Sequence, residues 1–315
     1  MEPQCTVVAI GGNAITRDFE DGNIYQQFTN TRRCLRSLIP LIRAGRRIVL
    51  VHGNGPQIGY ALIRGEATSK IVPRLPLGIT VADIQGGMGY MIQQCLRNLL
   101  QKHHQYTEVV TVITQVVVDP LDPSFKNPSK FVGPAHSETE AKVIQQHQGA
   151  IYKEDVGRGW RRVVPSPVPL AIVEKHLIRE LVENDRIVIA GGGGGIPVYY
   201  DREGNLEGLN AVIDKDLTAS LLADDVAAAE LIILTSVERV ALNYRQPEQL
   251  LLDRITLSEL QSYYQQGQFP PGSMGPKIRS VMNFLQKGGR RALITATDKL
   301  EEAWQGKTGT VIVPD

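Results

Sequence analysis

Short apolar runs rich in valine and isoleucine recur along the chain and alternate with helical patterns. Unbroken apolar runs predict strands that are buried on both faces of a parallel sheet. The predicted strands are residues 6–10, 48–51, 109–118, 187–190, 231–234, 292–295 and 310–313. Because helical segments separate most of them, the sequence predicts an α/β fold with a mainly parallel sheet that helices cover on both faces.

The helical pattern is clearest in residues 26–44, where apolar side chains at 35, 38, 39 and 42 fall on one face and Gly45 ends the segment. A second helix is predicted over residues 83–102. Further helices are expected to begin near Val173, Asp214, Pro276 and Asp298. Ligands of such sheets bind at the carboxyl ends of the strands, so functional residues are expected in the loops that follow them.

One segment, about residues 119–169, interrupts this alternation. It contains several prolines and charges without a sustained period, although residues 160–164 could pair as a strand. We interpret it as an excursion from the main sheet. The 315 residues allow a single domain, 1–315, with an N-terminal lobe (1–185) that includes the excursion and a C-terminal lobe (186–315).

Composition narrows the class of protein. Hydrophobic residues make up 42% of the chain, charged residues 21%, and the formal net charge is +1, which argues against a nucleic-acid or anionic-membrane binder. The three cysteines, Cys5, Cys34 and Cys95, lack the spacing of a metal site or disulfide framework and favour a reducing cytoplasm. We expect no membrane span and no secretion signal, since no long apolar run or basic leader is present.

Glycine-rich stretches follow the apolar strands at residues 11–13, 52–56, 191–195 and 272–277. Glycine lets the backbone approach a ligand closely and point amide groups at phosphate oxygens. Any one stretch could be a simple turn. Four of them at strand ends favour an extended anionic ligand.

The standard nucleotide fingerprints are absent from these loops. Gly53, Gly55 and Gly59 are spaced one residue too widely for the dinucleotide pattern, and the Gly-Lys-Thr at 306–308 lacks the upstream glycine of a P-loop because Glu301 stands there. This spacing argues against a Rossmann dehydrogenase and a P-loop NTPase. The six histidines show no metal-binding pattern either, although His52 ends a strand and is expected to shape its loop.

Two lysines are predicted in the first turns of helices. Lys215 follows Asp214, a predicted N-cap, and Lys277 follows Pro276, a residue favoured at the first helical position. A helix N-terminus disfavours a cation, and a bound polyanion would reverse that penalty. Alternatively, Asp214 and Asp216 simply hold Lys215 in a surface cluster.

Two further features stay open from the residues alone. Basic side chains of the excursion, among them Lys130 and Arg161, could clamp a small anion or merely improve solubility. Three glycines, Gly86, Gly87 and Gly89, weaken the predicted helix 83–102 and indicate a close neighbour. The sheet, a second subunit or a substrate could fill that role.

Longer segments carry a specific resemblance: residues 9–14, 52–59, 114–119, 154–167, 192–198, 211–216 and 272–277. In this order and spacing they resemble the carbamate kinases of the amino acid kinase family over almost the whole chain. The resemblance implies a three-layer αβα sandwich with an open, mainly parallel central sheet, a small protruding subdomain and a homodimer. It also implies reversible phosphoryl transfer, ATP and carbamate to ADP and carbamoyl phosphate, run towards ATP in arginine or related nitrogen catabolism.

The resemblance also implies roles for individual residues. The N-terminal lobe would bind carbamate and the C-terminal lobe the nucleotide, with Mg²⁺ accompanying ATP or ADP through phosphate oxygens and water rather than through a protein ligand. The implied catalytic residues are Lys130, Asp214, Lys215 and Lys277. The implied acceptor-site residues are Gly11, Gly12, Asn13, Gly53, Asn54, Gly55 and Arg161, and the implied nucleotide-site residues are Gly193, Gly194, Thr235, Ser236, Val237, Met274 and Gly275.

The chain departs from the family pattern at three places. Residues 133–136 read Gly-Pro-Ala-His where Gly-Pro-Phe-Tyr is usual, Phe131 replaces a proline after Lys130, and Ser236 replaces an aspartate. Two alternatives to a carbamate kinase stay open. One is a family member that phosphorylates a larger carboxylate, and the other is a non-catalytic regulator that binds a nucleotide or carbamoyl phosphate.

Overall fold

The computed structural model of the protein describes residues 4–17, 20–148, 150–155, 157–270 and 272–315; for Asn13, His147 and Gln148 it describes the backbone only. In chain order the strands are β1 (Cys5–Ile10), β2 (Arg47–His52), β3 (Val109–Thr111), β4 (Gln115–Val118), β5 (Lys130–His136), β6 (Ile151–Asp155), β7 (Gly159–Val164), β8 (Pro169–Ile172), β9 (Ile187–Ile189), β10 (Ile196–Tyr200), β11 (Leu206–Gly208), β12 (Glu230–Thr235), β13 (Ala241–Leu242), β14 (Leu250–Leu251), β15 (Arg254–Thr256), β16 (Arg291–Ala296) and β17 (Thr310–Val313).

The helices of the described residues run between and around these strands. They are α1 (Gly12–Ile15), α2 (Ile24–Arg36), α3 (Ile39–Arg43), α4 (Gly55–Ala67), α5 (Leu77–Lys102), α6 (Glu138–Gln148), α7 (Lys175–Glu183), α8 (Lys215–Asp225), α9 (Leu257–Gln265), α10 (Met274–Gln286) and α11 (Leu300–Trp304). Short 3-10 turns occupy Pro123–Phe125, Gly192–Gly194 and Thr297–Lys299.

The main sheet has eight strands in the order β15-β17-β16-β12-β1-β2-β9-β3. The six from β16 to β3 are parallel, and β17 pairs antiparallel with β16. One apolar core lies between the sheet and α7, α8, α9 and α10; a second lies between the opposite face and α2, α3, α5 and α11. The predicted three-layer αβα architecture with a mainly parallel sheet is confirmed.

The predicted helix over residues 26–44 is wrong in one respect, because the structure divides it into α2 and α3. Asn23 caps α2, with reciprocal hydrogen bonds between Asn23 and Gln26. Pro40 lies in the first turn of α3. Proline cannot donate an amide hydrogen and collides with the carbonyl four residues earlier, so a continuous helix through this position is excluded.

The apolar run at residues 109–118 is also not one strand. β3 forms the last strand of the main sheet, whereas β4 belongs to a second sheet with the order β11-β10-β4-β8. Between them the amide of Thr114 bonds to the side chain of Gln85 instead of to a neighbouring strand. A hydrophobic run reports burial, and it does not report which sheet accepts the hydrogen bonds.

The excursion leaves the fold after β4 and returns in β8, and these two strands pair antiparallel at its base. Beyond them β5, β7 and β6 form a three-stranded antiparallel sheet, with α6 packed on a small core of Ala141, Ala150 and Tyr152. We call residues 130–164 the subdomain. The strand expected at 160–164 is β7.

The division into lobes at residue 185 does not coincide with a division of the main sheet. β9, which opens the C-terminal half, lies between β2 and β3 of the N-terminal half. Its glycine loop, 191–195, therefore lies beside the loops of the N-terminal half.

No helix of the described residues combines the length and hydrophobicity needed to cross a membrane. Cys5, Cys34 and Cys95 are buried free thiols.

Candidate active site

The first turns of α8 and α10 bring two lysines together at the carboxyl edge of the main sheet. Asp214 is the N-cap of α8, as predicted, and its side chain accepts a hydrogen bond from the amide of Asp216 at 2.9 Å. Lys215 is the first residue of α8. α10 begins at Met274 rather than at Pro276, which still places Lys277 in the first turn. Both cations therefore lie at the positive end of a helix dipole.

Asp216 bridges these two lysines. Its carboxylate oxygens lie 2.5 Å from Nζ of Lys215 and 2.8 Å from Nζ of Lys277. Its carbonyl accepts a hydrogen bond from the hydroxyl of buried Ser280 on α10. The family resemblance implies that Asp214 orients the lysines, whereas the direct partner of both Lys215 and Lys277 is Asp216. The sequence indicates a contact of Asp216 with Lys215, its neighbour in the first turn, but not the contact with Lys277.

Lys130 is the third lysine, and it comes from the subdomain. Its ammonium group pairs with the second oxygen of Asp214, the oxygen that does not cap α8. Three lysines and two aspartates thus meet in one network, which we call the lysine cluster (Lys130, Asp214, Lys215, Asp216, Lys277). The cluster carries one more positive than negative charge.

Burial makes the charges of the cluster interact strongly. Burial raises the pKa of Asp216, but Lys215 and Lys277 outweigh it and hold the pKa below its usual range. The pKa of Asp214 is lowered in the same way, chiefly by Lys130 against the effect of burial. Burial lowers the pKa of Lys215, whereas the two aspartates raise that of Lys277 against burial. Both carboxylates are therefore ionised at neutral pH.

Two glycine loops close over Lys215. A Cβ atom on Gly53 would lie 2.8 Å from the amide nitrogen of Gly12 and 3.2 Å from Cδ of Lys215. Gly53 therefore has to be glycine for the loops after β1 and β2 to meet above the lysine. Gly55 is the first residue of α4, so the N-terminus of a third helix points to the same place. The side chain of Asn13 lies outside the described residues; Gly11 lies next to the carbonyl of Leu234.

Asn54 is a buried polar residue with spare hydrogen-bonding capacity. Its side chain is 3% exposed, and Nδ2 has no hydrogen-bond partner. The amide group lies directly against Gly193, because a Cβ atom there would stand 2.0 Å from Nδ2. A buried amide donor left without a partner costs about 1–3 kcal/mol, so a ligand oxygen at this position would be favoured.

The structure separates the residues predicted for the nucleotide into two groups. Gly193 and Gly194 follow β9 and contact Asn54 and Ile213, beside the N-terminal loops. Residues 235–237 lie at the carboxyl end of β12. In the sheet, β12 is three strand spacings from β9, which amounts to roughly 14 Å. Met274 and Gly275 open α10, which packs against β12. Of the two groups, only the second lies beside strands of the C-terminal lobe other than β9.

Arg161 does not join the lysine cluster. Its Nε and Nη2 atoms donate to the carbonyl of Gly133 at 3.1 and 2.9 Å, and Nη1 pairs with Asp155 at 3.0 Å. The guanidinium also lies over the ring of Phe131. These contacts are all within the subdomain and brace it; the substrate contact predicted for Arg161 stays a prediction.

The subdomain rests on α4 through a contact between two glycines. A Cβ atom on Gly59 would lie 1.8 Å from Cα of Gly133, a separation that no side chain permits. Arg162 of the subdomain forms an ion pair with Glu66 of α4 beside this contact.

Phe131, one of the departures from the family pattern, lies near Gly55 and Gly272. The two other departures are placed apart, since His136 packs edge-on against Tyr152 and Ser236 is exposed.

His52 shapes the loop that it begins. Burial is the main cause that lowers its pKa to about 4, and nearby Lys215 acts in the same direction. The imidazole is therefore neutral at pH 7. Its Nδ1 lies 3.2 Å from the carbonyl of Gly53, and its Nε2 faces Gly192. Because Gly53 carries no side chain, the imidazole of His52, the 52–56 loop and Lys215 pack closely together.

The donor groups of the site suit a Mg²⁺ ion that arrives with a nucleotide. Among the described residues no group of three or more histidine, cysteine, aspartate or glutamate side chains could enclose a metal ion. Asp214 and Asp216 are both engaged by lysines. Mg²⁺ keeps several waters and commonly binds through substrate phosphates, and that mode requires no protein cage.

Comparison with known proteins agrees with this geometry. A sequence profile of the amino acid kinase family matches residues 4–296. The carbamate kinase of Pyrococcus horikoshii is 45% identical over 314 residues, which cover 99% of this chain and 100% of the relative. Carbamate kinase from Giardia lamblia bound to citric acid superposes with a TM-score of 0.95 at 39% identity, covering 100% of this chain and 99% of that one. The same enzyme bound to AMP-PNP gives 0.90 at 40% identity, with the same coverage.

The fold and the full-length match define the class: the chain belongs to the amino acid kinase family. Within that family its full-length relatives include carbamate kinases of Pyrococcus horikoshii and Giardia lamblia. The resemblance seen in the sequence segments therefore extends to the whole chain and to its three-dimensional structure.

Proposed function

We propose that the protein is a carbamate kinase that transfers a phosphoryl group reversibly between ATP and carbamate. The observation that supports this most directly is the lysine cluster, in which Lys130, Lys215 and Lys277 meet at the N-termini of α8 and α10. Its excess positive charge lies under the Gly12 and Gly53 loops. A phosphoryl group in transfer is an anion that needs this environment.

Carbamate needs no general base, because its attacking oxygen is already an anion. Towards ATP, the bond between the carbamate oxygen and phosphorus breaks, a bond from the terminal ADP oxygen forms, and carbamate leaves without taking up a proton. The protein then has to orient the two anions and offset their repulsion. Mg²⁺ that arrives with the nucleotide neutralises part of the phosphate charge.

Each lysine has a proposed place in this scheme. Lys215, under Gly53, faces the phosphoryl group between its two carriers. Lys277, on α10, faces the nucleotide phosphates, and Lys130 reaches the transferred group from the subdomain. Asp216 holds Lys215 and Lys277 in place before substrates bind, and Asp214 does the same for Lys130.

The two substrates occupy different parts of the strand edge in this proposal. Carbamate lies near Gly11, Gly12, Asn13, Gly53, Asn54 and Gly55, where the unpartnered amide of Asn54 donates to it. Gly193 packs against the side-chain amide of Asn54, so we place Gly193 and Gly194 with the acceptor loops and not with the nucleotide site. The nucleotide lies along Thr235, Ser236, Val237, Met274 and Gly275. A relative with AMP-PNP bound supports nucleotide binding by this fold.

The test is ATP formation by the purified protein from ADP, Mg²⁺ and carbamoyl phosphate, corrected for spontaneous breakdown of carbamoyl phosphate. We expect ATP formation that depends on the protein. A panel of other acyl phosphates is run in parallel, since a larger carboxylate substrate is the alternative within the family. Activity with an acyl phosphate and none with carbamoyl phosphate would overturn the proposal, as would ADP binding with no turnover of either.

We also propose that the protein is a homodimer whose subunits meet at α5 and β3. The main sheet ends at β3, and a groove of about 680 Å³ beside it is lined by residues that include Tyr90, Arg97 and Ile113. Tyr90 is 60% exposed. Gly89 packs against Thr111 of β3, but a Cβ atom on Gly87 would meet nothing within 4 Å, so Gly87 leaves room for a neighbour.

Light scattering after size exclusion tests this interface. We expect twice the chain mass of 34.7 kDa for the wild type. Gly87→Arg, which the subunit itself can accommodate, should give the monomer mass. A monomeric wild type would contradict the proposal.

Cytoplasmic location and a role in arginine or related nitrogen catabolism remain predictions, the first supported by three buried free thiols.

A further inference from the structure

A buried polar network lies beneath the glycine loop 191–195. Its centre is Gln85 on α5, whose side chain is 1% exposed. The Oε1 atom accepts from the amide of Thr114 at 2.7 Å, and Nε2 donates to the carbonyl of Gly192 at 2.9 Å and to that of Thr114 at 3.3 Å. Gln85 thereby connects three parts of the fold, namely α5, the β3–β4 connection and the glycine loop.

Thr114 provides the second half of this network. It is fully buried between β3 and β4, at the point where the predicted single strand changes sheet. Its hydroxyl accepts from the amide of Gly191 at 2.9 Å and donates to the carbonyl of Val112 at 2.8 Å. Gln85 and Thr114 together hold the first two residues of the glycine loop.

The loop needs such support because its backbone is unusually free. Gly191, Gly193, Gly194 and Gly195 all have positive φ angles, between 61° and 95°. Glycine reaches these angles readily but reaches many others as well, so the observed conformation depends on specific hydrogen bonds. Within the loop, only the amides of Gly194 and Gly195 bond back, to the carbonyls of Gly191 and Gly192.

The upper face of the same loop supports two groups of the acceptor site. A Cβ atom on Gly192 would lie 2.2 Å from Nε2 of His52, and one on Gly193 would lie 2.0 Å from Nδ2 of Asn54. A displacement of the loop would therefore change where the unpartnered amide of Asn54 points. Asn54 contacts the loop at Gly193, whereas Gln85 and Thr114 bond to the backbone of Gly192 and Gly191.

We propose that Gln85 and Thr114 are positioning residues for the acceptor site, which fix the Gly192–Gly193 backbone and through it the amide of Asn54. The inference rests on the proposed carbamate kinase activity. It predicts that weakening this network impairs the use of carbamoyl phosphate while leaving ADP binding intact, because ADP is proposed to bind three strands away.

The first test compares Thr114→Val, which keeps the shape and loses the hydroxyl, with Thr114→Ser, which keeps the hydroxyl. We expect Thr114→Val to raise KM for carbamoyl phosphate about tenfold, the effect of losing a buried hydrogen-bond partner, with KM for ADP changed less than twofold. Thr114→Ser should restore KM for carbamoyl phosphate to within about threefold of the wild type. Equal changes in both KM values, or no rescue by serine, would overturn the inference.

Gln85→Glu provides an independent variant should Thr114→Val fail to fold. It keeps the acceptor for the Thr114 amide and loses both donors, so the same split between the two KM values is expected. Hydrogen exchange of the 191–195 amides should become faster in either variant. Unchanged exchange would contradict the inference even if the wild type formed no ATP, which separates its failure from that of the proposed function.

A double-mutant cycle with Asn54→Ala identifies the route of the effect. If the network acts through Asn54, Thr114→Val should change kcat/KM for carbamoyl phosphate less than threefold in the Asn54→Ala background, compared with about tenfold in the wild type. If the hydroxyl only stabilises the fold, the two effects should multiply. Multiplicative effects would overturn the inference.

Discussion

Two buried charged clusters lie at opposite ends of β12, and their chemistry differs. At the amino end Glu230, 2% exposed, pairs with Arg291 at 3.1 Å and accepts hydrogen bonds from Trp304 and Thr6. At the carboxyl end lies the lysine cluster. The first cluster has one charge of each sign and neutral donors for the remaining carboxylate oxygen, whereas the second keeps an excess cation among helix N-termini.

The difference separates a cluster that serves the fold from one that awaits a ligand. At Glu230 the charge is balanced by Arg291, Oε2 accepts two hydrogen bonds and Oε1 makes none, so removing one partner mainly destabilises the protein. In the lysine cluster one positive charge stays unbalanced at the positive ends of two helices, and an anionic ligand would balance it. Strain of this kind concentrates at functional sites, so the lysine cluster should respond to mutation in activity and the Glu230 cluster in stability.

The largest expected effect is that of Lys215→Ala. We expect kcat to fall about 1000-fold while the affinity for ADP changes less than tenfold, because its charge matters most when the phosphoryl group is between its carriers. Steady-state kinetics and calorimetric ADP binding measure the two quantities. Lys287→Ala, which removes a half-exposed lysine paired with Asp224, should leave both unchanged. Equal losses of kcat and ADP affinity would contradict the role given to Lys215.

Asp216→Asn and Glu230→Gln test the comparison itself, since each replaces a buried carboxylate by an amide of the same shape. Asp216→Asn should lower kcat about 100-fold, because Lys215 and Lys277 lose the group that holds them. Glu230→Gln should leave kcat unchanged and lower the free energy of unfolding by about 1–3 kcal/mol. Kinetics and urea unfolding of both variants decide the matter. A loss of activity in Glu230→Gln, or none in Asp216→Asn, would remove the distinction.

Gly59→Ala tests whether the position of Lys130, the third lysine, depends on the contact between the subdomain and α4. The new methyl group would overlap the backbone of Gly133, so the subdomain has to move and carry Lys130 away from Asp214. We expect kcat to fall about tenfold or more, the cost of misplacing a charged group at the reacting centre. Gly65→Ala, in the same helix with nothing within 4 Å of the new atom, should leave kcat unchanged and stabilise the protein by about 0.5–1 kcal/mol. Equal kinetics for the two variants would refute the dependence on subdomain contact.

The last prediction concerns the pH dependence of stability, with no change at the lysine cluster. His52 has a pKa lowered from 6.5 to about 4 in the folded protein, so between these values the unfolded chain binds the proton more tightly. Stability should therefore fall as pH falls through this window, by about 2 kcal/mol between pH 7 and pH 5. His52→Asn should reduce that difference in urea unfolding, and exposed His176→Gln should not. An unchanged pH dependence in His52→Asn would assign it to other groups.

Seven of the eight strands of the main sheet could be predicted because they lie in continuous apolar runs bounded by loops. The eighth, β15, was missed because its three residues, Arg-Ile-Thr, contain a single apolar side chain. The same reasoning failed where burial and pairing diverge. Residues 109–118 are apolar throughout, yet the buried hydrogen bonds of Thr114 divide them between two sheets. α4 was missed although Pro56 is a residue favoured in a first helical turn, because the glycines around it indicated a ligand-binding loop.

The candidate site was predicted less evenly. Lys215 and Lys277 were visible as cations at helix starts, a local feature of the chain. The contact of Asp216 with Lys277 and the placement of Gly193 against Asn54 join segments far apart in sequence, which hydrophobic periodicity does not indicate. The charge of Arg161 is visible in the sequence, whereas its partners Gly133 and Asp155 are visible only in the folded subdomain.

The central claim is that the lysine cluster holds the phosphoryl group during transfer. The most direct measurement is a crystal structure with ADP, Mg²⁺ and aluminium fluoride, which mimics a phosphoryl group between donor and acceptor. We predict the fluoride anion under the Gly12 and Gly53 loops, within hydrogen-bonding distance of Nζ of Lys130, Lys215 and Lys277. An anion bound elsewhere, with the three lysines still facing only Asp214 and Asp216, would contradict the account.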